Sequence, residues 1–456
     1  MRTSLQDNCR RAARRLAAAA ALALTGLAAH AALPIQHWTQ PSGAKIYFVA
    51  VDALPIVDVQ IDFDAGSRRD PAAQAGLADV TADMLDKGVE ARGAEPAMDE
   101  NALGEAWADL GASFGVGAGT DRMSFSLRTL SRPDLLDKAV ALAAREIGEP
   151  AFPPDVWRRE RERIVAAIKE ANTKPGTVAG RAYGKDVYGS HPYGYEATEE
   201  SLGRVDVADM RGFYTRHVAP CRAKLSIVGA LDRAQADRVA TALLSRLPAA
   251  AAATADCQPL PPVPEVEALK GAKVDRIPFG SAQAHVLIGQ PGYPRRDPDH
   301  FALTLGNYVL GGGGFVSRLT EQVREKRGLA YSVYSGFSPG LAAGAFTIGF
   351  QTRPDQADEA VKVARSVLEK FVAEGPTAAE LQAAKDNLIG GFPLLLDSNR
   401  KLVGNVANIA WNELPLDYLD TWTARMNAVT VADVKAAFQR KLQPDRMVTV
   451  MVGAKP

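Results

Sequence analysis

Apolar and polar positions along this chain repeat with two periods, and each change of period marks an element. Residues 45–51 and 56–63 predict strands. In the second, Val57, Val59, Ile61 and Phe63 alternate with Asp58, Gln60 and Asp62, as in a strand with one face buried. Over 76–87 the period lengthens to that of a helix, with Leu77, Val80, Met84 and Leu85 apolar. A short helix near 101–110 and strands near 113–117 and 122–128 follow, then helices near 133–147 and 154–171. A helix over 207–216, a strand over 223–228 and a helix over 233–246 close this part.

The stretch AAAAATADCQPLPPVPE at 249–265 supports neither a helix nor a strand, because its prolines lack the amide hydrogen that both require. It predicts a linker over 249–272 between a first domain at 32–248 and a second at 273–456. The second part repeats the first. VADMRGFYTRHVAPCRAKLSIVGA at 207–230 aligns with VADVKAAFQRKLQPDRMVTVMVGA at 431–454, and RRDP at 68–71 answers RRDP at 295–298. The expected fold is α+β, with two duplicated halves that each carry helices mainly on one face of a sheet.

One stretch of the second half, LGGGGFVSRLTEQVREKRGLAYSVYS at 310–335, breaks the pattern. Gly311, Gly312, Gly313 and Gly314 end an apolar helix. Leu319 and Val323 then return to helical spacing, and after Gly328 the residues Leu329, Tyr331, Val333 and Phe337 alternate as in a strand. Arg324, Lys326 and Arg327 form a cationic helix end just before Tyr331, which by itself reads as a helix terminus complementing its dipole.

Composition removes some alternatives. With 53 basic and 53 acidic residues the net charge is zero, which argues against nucleic acid or a membrane surface as partner. The six histidines are dispersed and none has another at zinc-motif spacing. Residues 1–31 have a charged start at Arg10, Arg11, Arg14 and Arg15, an Ala/Leu run and Ala29-His30-Ala31, the pattern of a cleaved secretory signal, so an exported protein, with a bacterial periplasm as its compartment, is expected. Cys221 and Cys257 would then be the two cysteines left, and an oxidising compartment would let them pair.

The 310–335 stretch closely resembles the C-terminal-half signature of the pitrilysin-type zinc peptidases, a family that includes mitochondrial processing peptidase. The resemblance covers essentially the whole chain after residue 31. It implies two halves closing like a clam shell around a peptide, with Arg324 and Tyr331 binding the substrate backbone and the glycine loop touching incoming peptide. Active members carry H-x-x-E-H on the helix after the first RRDP-like turn. Here that helix reads GLADVTADMLDKG, with Asp79 and Asp83 at the histidine positions and Ala82 at the general base. The further zinc-binding Glu of the family falls on Ala167. A catalytic zinc takes three protein ligands and an open position, so no cofactor is expected in this chain.

Some members of the family are heterodimers, and this chain resembles the subunit that lacks zinc. The resemblance therefore implies a partner bearing H-x-x-E-H and zinc, with this chain inactive alone as a peptide hydrolase. The alternative is a scaffold or peptide-binding protein of the same fold.

Overall fold

The computed structural model describes residues 34–247 and 257–455. The expected signal at 1–31 and the alanine run of the linker lie outside the described residues.

Alternating residues build β1 (Gln36–Thr39), β2 (Lys45–Ala50) and β3 (Ile56–Phe63). A small ribbon, β4 (Gly88–Val89) with β5 (Met98–Asp99), precedes β6 (Ser113–Ala118) and β7 (Met123–Leu130), and β8 (Lys224–Gly229) completes the half. The second half contributes β9 (Lys273–Ile277), β10 (Ala284–Tyr293), β11 (Ala330–Phe337), β12 (Gly344–Thr352) and β13 (Val448–Val452).

The first sheet has the order β1-β2-β8-β3-β7-β6 and the second β9-β13-β10-β12-β11. Without β1 the two orders are the same. The directions match as well: β2 runs parallel to β8 as β9 does to β13, and the remaining pairs are antiparallel. The duplication read from the letters is thus a duplication of topology.

Each sheet buries its apolar face under helices of its own half. Phe48, Val59, Ile61, Phe63 and Phe125 pack with Ala143, Ile147 and Leu243 in the first. Val286, Ile288, Phe346 and Phe350 pack with Leu303, Leu368, Phe371 and Phe438 in the second.

The other faces are also covered, each by a helix from the opposite half. Pro175–Tyr188, from the first half, lies on β10 and β13, where Ala179, Tyr183 and Val187 meet Val448, Val450 and Val452. Asn399–Trp411, from the second half, lies on β3 and β8. The polar residues of β3 are therefore not solvated, as their alternation suggested: Asp58 is 4% and Asp62 0% exposed. Arg128 bonds Asp58 at 3.0 Å and Arg122 bonds Asp62 at 3.0 Å. Burial pushes both carboxyls up, and these arginines oppose it. Lys224 reaches the carbonyl oxygens of Ala410 and Trp411 at 3.0 and 3.3 Å, neutralising the end of the lent helix. Each half thus covers a sheet face of the other with one of its own helices.

Candidate functional site

Helix His300–Asn307 runs on into a wide turn, Tyr308–Gly312, in which the Gly313 amide reaches back five residues to the Tyr308 carbonyl at 2.8 Å. The glycines have different tasks. A Cβ on Gly311 would lie 2.5 Å from the Ser335 nitrogen, so only glycine lets this turn rest on β11. Gly314 has φ +60 and open space around it, so its demand is conformational. Asn307 and Ser335 hold the same contact through paired side-chain bonds at 3.1 and 2.8 Å. A second wide turn, Thr320–Glu325, carries Arg324, with Leu319 and Val323 fully buried beneath it.

The structure brings Arg324 and Tyr331 together. The guanidinium carbon lies 4.9 Å from the Tyr331 ring centre and 4.7 Å from that of Phe315. Tyr331 is 80% and Phe315 67% exposed. The alternation expected for β11 fails at Tyr331: the register shifts between Ala330 and Val333, and this bulge rotates Tyr331 out to solvent. Among the described residues, neither the Arg324 guanidinium nor the Tyr331 hydroxyl has a hydrogen-bond or ion-pair partner. The neighbouring cations are engaged: Lys326 pairs with Glu321 at 2.7 Å and Arg327 bonds Gln322. Arg324 is thus a half-buried cation whose donors are unused among the described residues.

The first-half positions lie on helix Leu77–Asp83. Asp70 of the RRDP turn caps it, accepting from the amides of Gly76 and Ala78 at 2.8 and 2.9 Å. Asp79 and Asp83 stand one turn apart on its solvent side, while Ala82 is 1% exposed within the core. Although Asp79 reaches solvent, the surrounding protein desolvates its carboxyl, and Asp83 and Glu196 add like charge, so it is pushed up to about 6. Burial also raises Asp83, and the charge that most opposes this is Arg163, from helix Pro154–Ala171. Arg163 itself pairs with Glu160 at 2.7 Å.

The donor set does not fit a catalytic zinc. It has two carboxylates, one of them opposed by the charge of Arg163, an alanine methyl in the core at the base position, and another alanine at 167. Among the described residues no group of three or more His, Cys, Asp or Glu could hold a metal ion. No hydrogen bond or ion pair joins Asp79 or Asp83 to Arg324 or Tyr331 among the described residues.

Cys221 and Cys257 are joined in a disulfide with Cα atoms 6.1 Å apart. It fixes the start of the described linker to the turn before β8. The linker is held further on by Arg222 on the Gln258 carbonyl at 3.0 Å and His191 on the Pro264 carbonyl at 2.8 Å.

Sequence reasoning missed Phe315 and Arg163. An exposed phenylalanine carries no periodic signal, whereas Arg163 could have been found by placing ERERIVAAI on a helical wheel, one turn before Ala167.

Residues 49–199 match the family described as insulinase (peptidase family M16), and residues 204–388 match the peptidase M16 inactive domain. The crystal structure of a peptidase M16 inactive domain from Pseudomonas fluorescens is 35% identical, with a TM-score of 0.85, covering 92% of this chain and 98% of that one. The chain belongs to peptidase family M16. Among M16 relatives, an uncharacterized zinc protease of Streptomyces coelicolor is 30% identical over 282 residues, 61% of this chain and 60% of that protein. The non-peptidase homolog YmxG of Helicobacter pylori is 23% identical over 389 residues, 84% of this chain and 85% of that one. This chain is a non-catalytic M16 member, in keeping with its altered metal positions.

Proposed function

We propose that the chain is the substrate-gripping, non-zinc subunit of an exported, two-chain M16 peptidase. The observation that carries this reading is Arg324, stacked beside the exposed Tyr331 and without a hydrogen-bond or ion-pair partner among the described residues, on a chain whose metal positions are lost. A site decaying as a whole would have no reason to keep this pair together.

The partner, bearing H-x-x-E-H, would supply zinc and general base. The peptide would lie between the two chains, with Arg324 and Tyr331 of this one opposite the partner's zinc. Arg324 would bind a peptide carbonyl through charge-assisted bonds, and the Tyr331 hydroxyl would stabilise the oxyanion forming at the partner's zinc. The glycine loop would border the incoming peptide. The disulfide supports an oxidising compartment, consistent with export to a periplasm. The name of the H. pylori relative favours a second reading, a scaffold with no role in hydrolysis.

Titrating the zinc-bearing partner with this chain separates the two. Arg324→Ala or Tyr331→Phe should lower kcat by ~10²–10³ while assembly and the partner's zinc are unchanged. Lys326→Ala should be mild, since that side chain is committed to Glu321. Full activity with Arg324 and Tyr331 both removed leaves only the scaffold.

A further inference from the structure

Phe315 has no role in the core. It is 67% exposed, and its neighbour Val316 is 72% exposed. Yet the loop that carries it is tightly held. Ser317, fully buried, bonds the Gly314 carbonyl through both its amide at 3.1 Å and its hydroxyl at 2.7 Å, and the hydroxyl also lies 3.1 Å from Thr320. Gly314, in its left-handed conformation, turns the chain immediately before Phe315. A large apolar side chain is therefore displayed from a rigid turn, and the partner it has been found to stack on is the Arg324 guanidinium, 4.7 Å away. Tyr331 is stacked at 4.9 Å.

We propose that Phe315 is a positioning residue that clamps the Arg324 guanidinium against Tyr331 and offers, with Val316, an apolar shelf for the peptide side chain beside the gripped carbonyl. This rests on the reading given above. A guanidinium donates only from its edge, in its own plane. Rings packed on it leave that edge free, hold the plane in one orientation and remove rotamer freedom that a long side chain otherwise loses on binding. The clamp therefore favours an acceptor approaching in the plane, such as a main-chain carbonyl of an extended peptide. The exposed face of Phe315 would lie next to that acceptor, with the exposed Val316 following it in the turn, so the adjoining side chain should be apolar.

The test uses the full chain and a fluorescein-labelled glycine–serine decapeptide with one central guest residue, read by fluorescence anisotropy. With phenylalanine or leucine as guest, Phe315→Ala should weaken binding about tenfold. Phe315→Tyr and Phe315→Trp should bind as wild type does, whereas Phe315→Leu, which keeps apolar area but no ring face, should fall between. An aspartate guest should bind more weakly than leucine in the wild type and lose this difference in Phe315→Ala. Thermal unfolding should be unchanged in all four variants, because so exposed a ring contributes little to folding. Loss of binding in Arg324→Ala with wild-type binding in Phe315→Ala overturns the clamp alone. Absence of peptide binding to the wild type, or wild-type binding by Arg324→Ala, overturns the substrate-gripping reading together with it.

Discussion

At position 82 a methyl group in the core replaces what a hydrolase would need as a base, and the surroundings have adapted to it. Restoring the letters should not restore the site. The triple variant Asp79→His, Ala82→Glu, Asp83→His should hold no stoichiometric zinc by elemental analysis of protein purified without chelator. Arg163 remains beside position 83 and Ala167 offers no third ligand. The glutamate would enter a place 1% exposed, and burying it should cost at least about 2 kcal/mol of stability. A tightly held zinc in this variant would show that the site is only dormant. Another buried carboxyl gives a pH prediction. Burial pushes Glu146 up to about 7, with Asp86 adding to the rise and a 2.5 Å bond from the Trp107 indole opposing it. Because the folded value lies above the unfolded one, the protonated form is favoured by folding. That contribution is complete below about pH 4.5 and is lost as pH rises through about 7. Glu146→Gln keeps an acceptor for Trp107 and removes the titration. Relative to wild type it should gain roughly 3 kcal/mol between pH 4.5 and pH 8 in denaturant unfolding curves. Parallel pH dependence in the two proteins would contradict the shift.

Among the elements, the strands and long helices were legible because their residues obey one period from end to end. Strand β11 was legible only in part. Counting by twos assigned Tyr331 to the face of Leu329 and Val333, but the bulge inserts a residue there, and bulges arise from pairing with the neighbouring strand rather than from the strand's own letters. The wide helical turn 308–312 escaped for a similar reason: there Gly311 and Asn307 meet Ser335 of β11, a contact between segments distant in sequence. Of the candidate site, Arg324 and Tyr331 were singled out by resemblance, since their spacing alone read as a basic helix end, while the Phe315 stack required the turn that displays it. The glycine turn yields an element-scale prediction. Gly311→Ala should be the more damaging change, about 1–3 kcal/mol, because its Cβ would press on the β11 backbone. Gly314→Ala meets open space and should lose only the left-handed preference, about 1 kcal/mol. Urea unfolding midpoints decide the order, and a lower midpoint for Gly314→Ala would mean that conformation outweighs contact here.

At the scale of the whole molecule, the duplication was visible in the letters but the exchange of helices was not. The polar positions of β3 looked like a solvated face, and only the lent helix Asn399–Trp411 explains why Asp58 and Asp62 can be buried. This exchange makes the halves interdependent. Without its partner the first half would open the face bearing Asp58, Asp62 and Lys224, and its helix Pro175–Tyr188 would expose Tyr183 and Val187. The Tyr183 hydroxyl, which donates to the Phe346 carbonyl at 2.7 Å, would lose its buried acceptor. The disulfide lies within the first half and its linker, so it does not bridge this seam; reducing it should cost roughly 3–4 kcal/mol by loop closure without separating the halves. The decisive experiment cuts the linker between Leu247 and Cys257 under reducing conditions. The two fragments should then co-elute, and should unfold in one calorimetric transition as the intact chain does. Expressed singly, each should be aggregated or lack a cooperative transition, and co-expression should rescue both. Two separate transitions in the intact chain, or a monomeric and cooperative first-half fragment, would establish that the lent helices are ornaments on two independent domains.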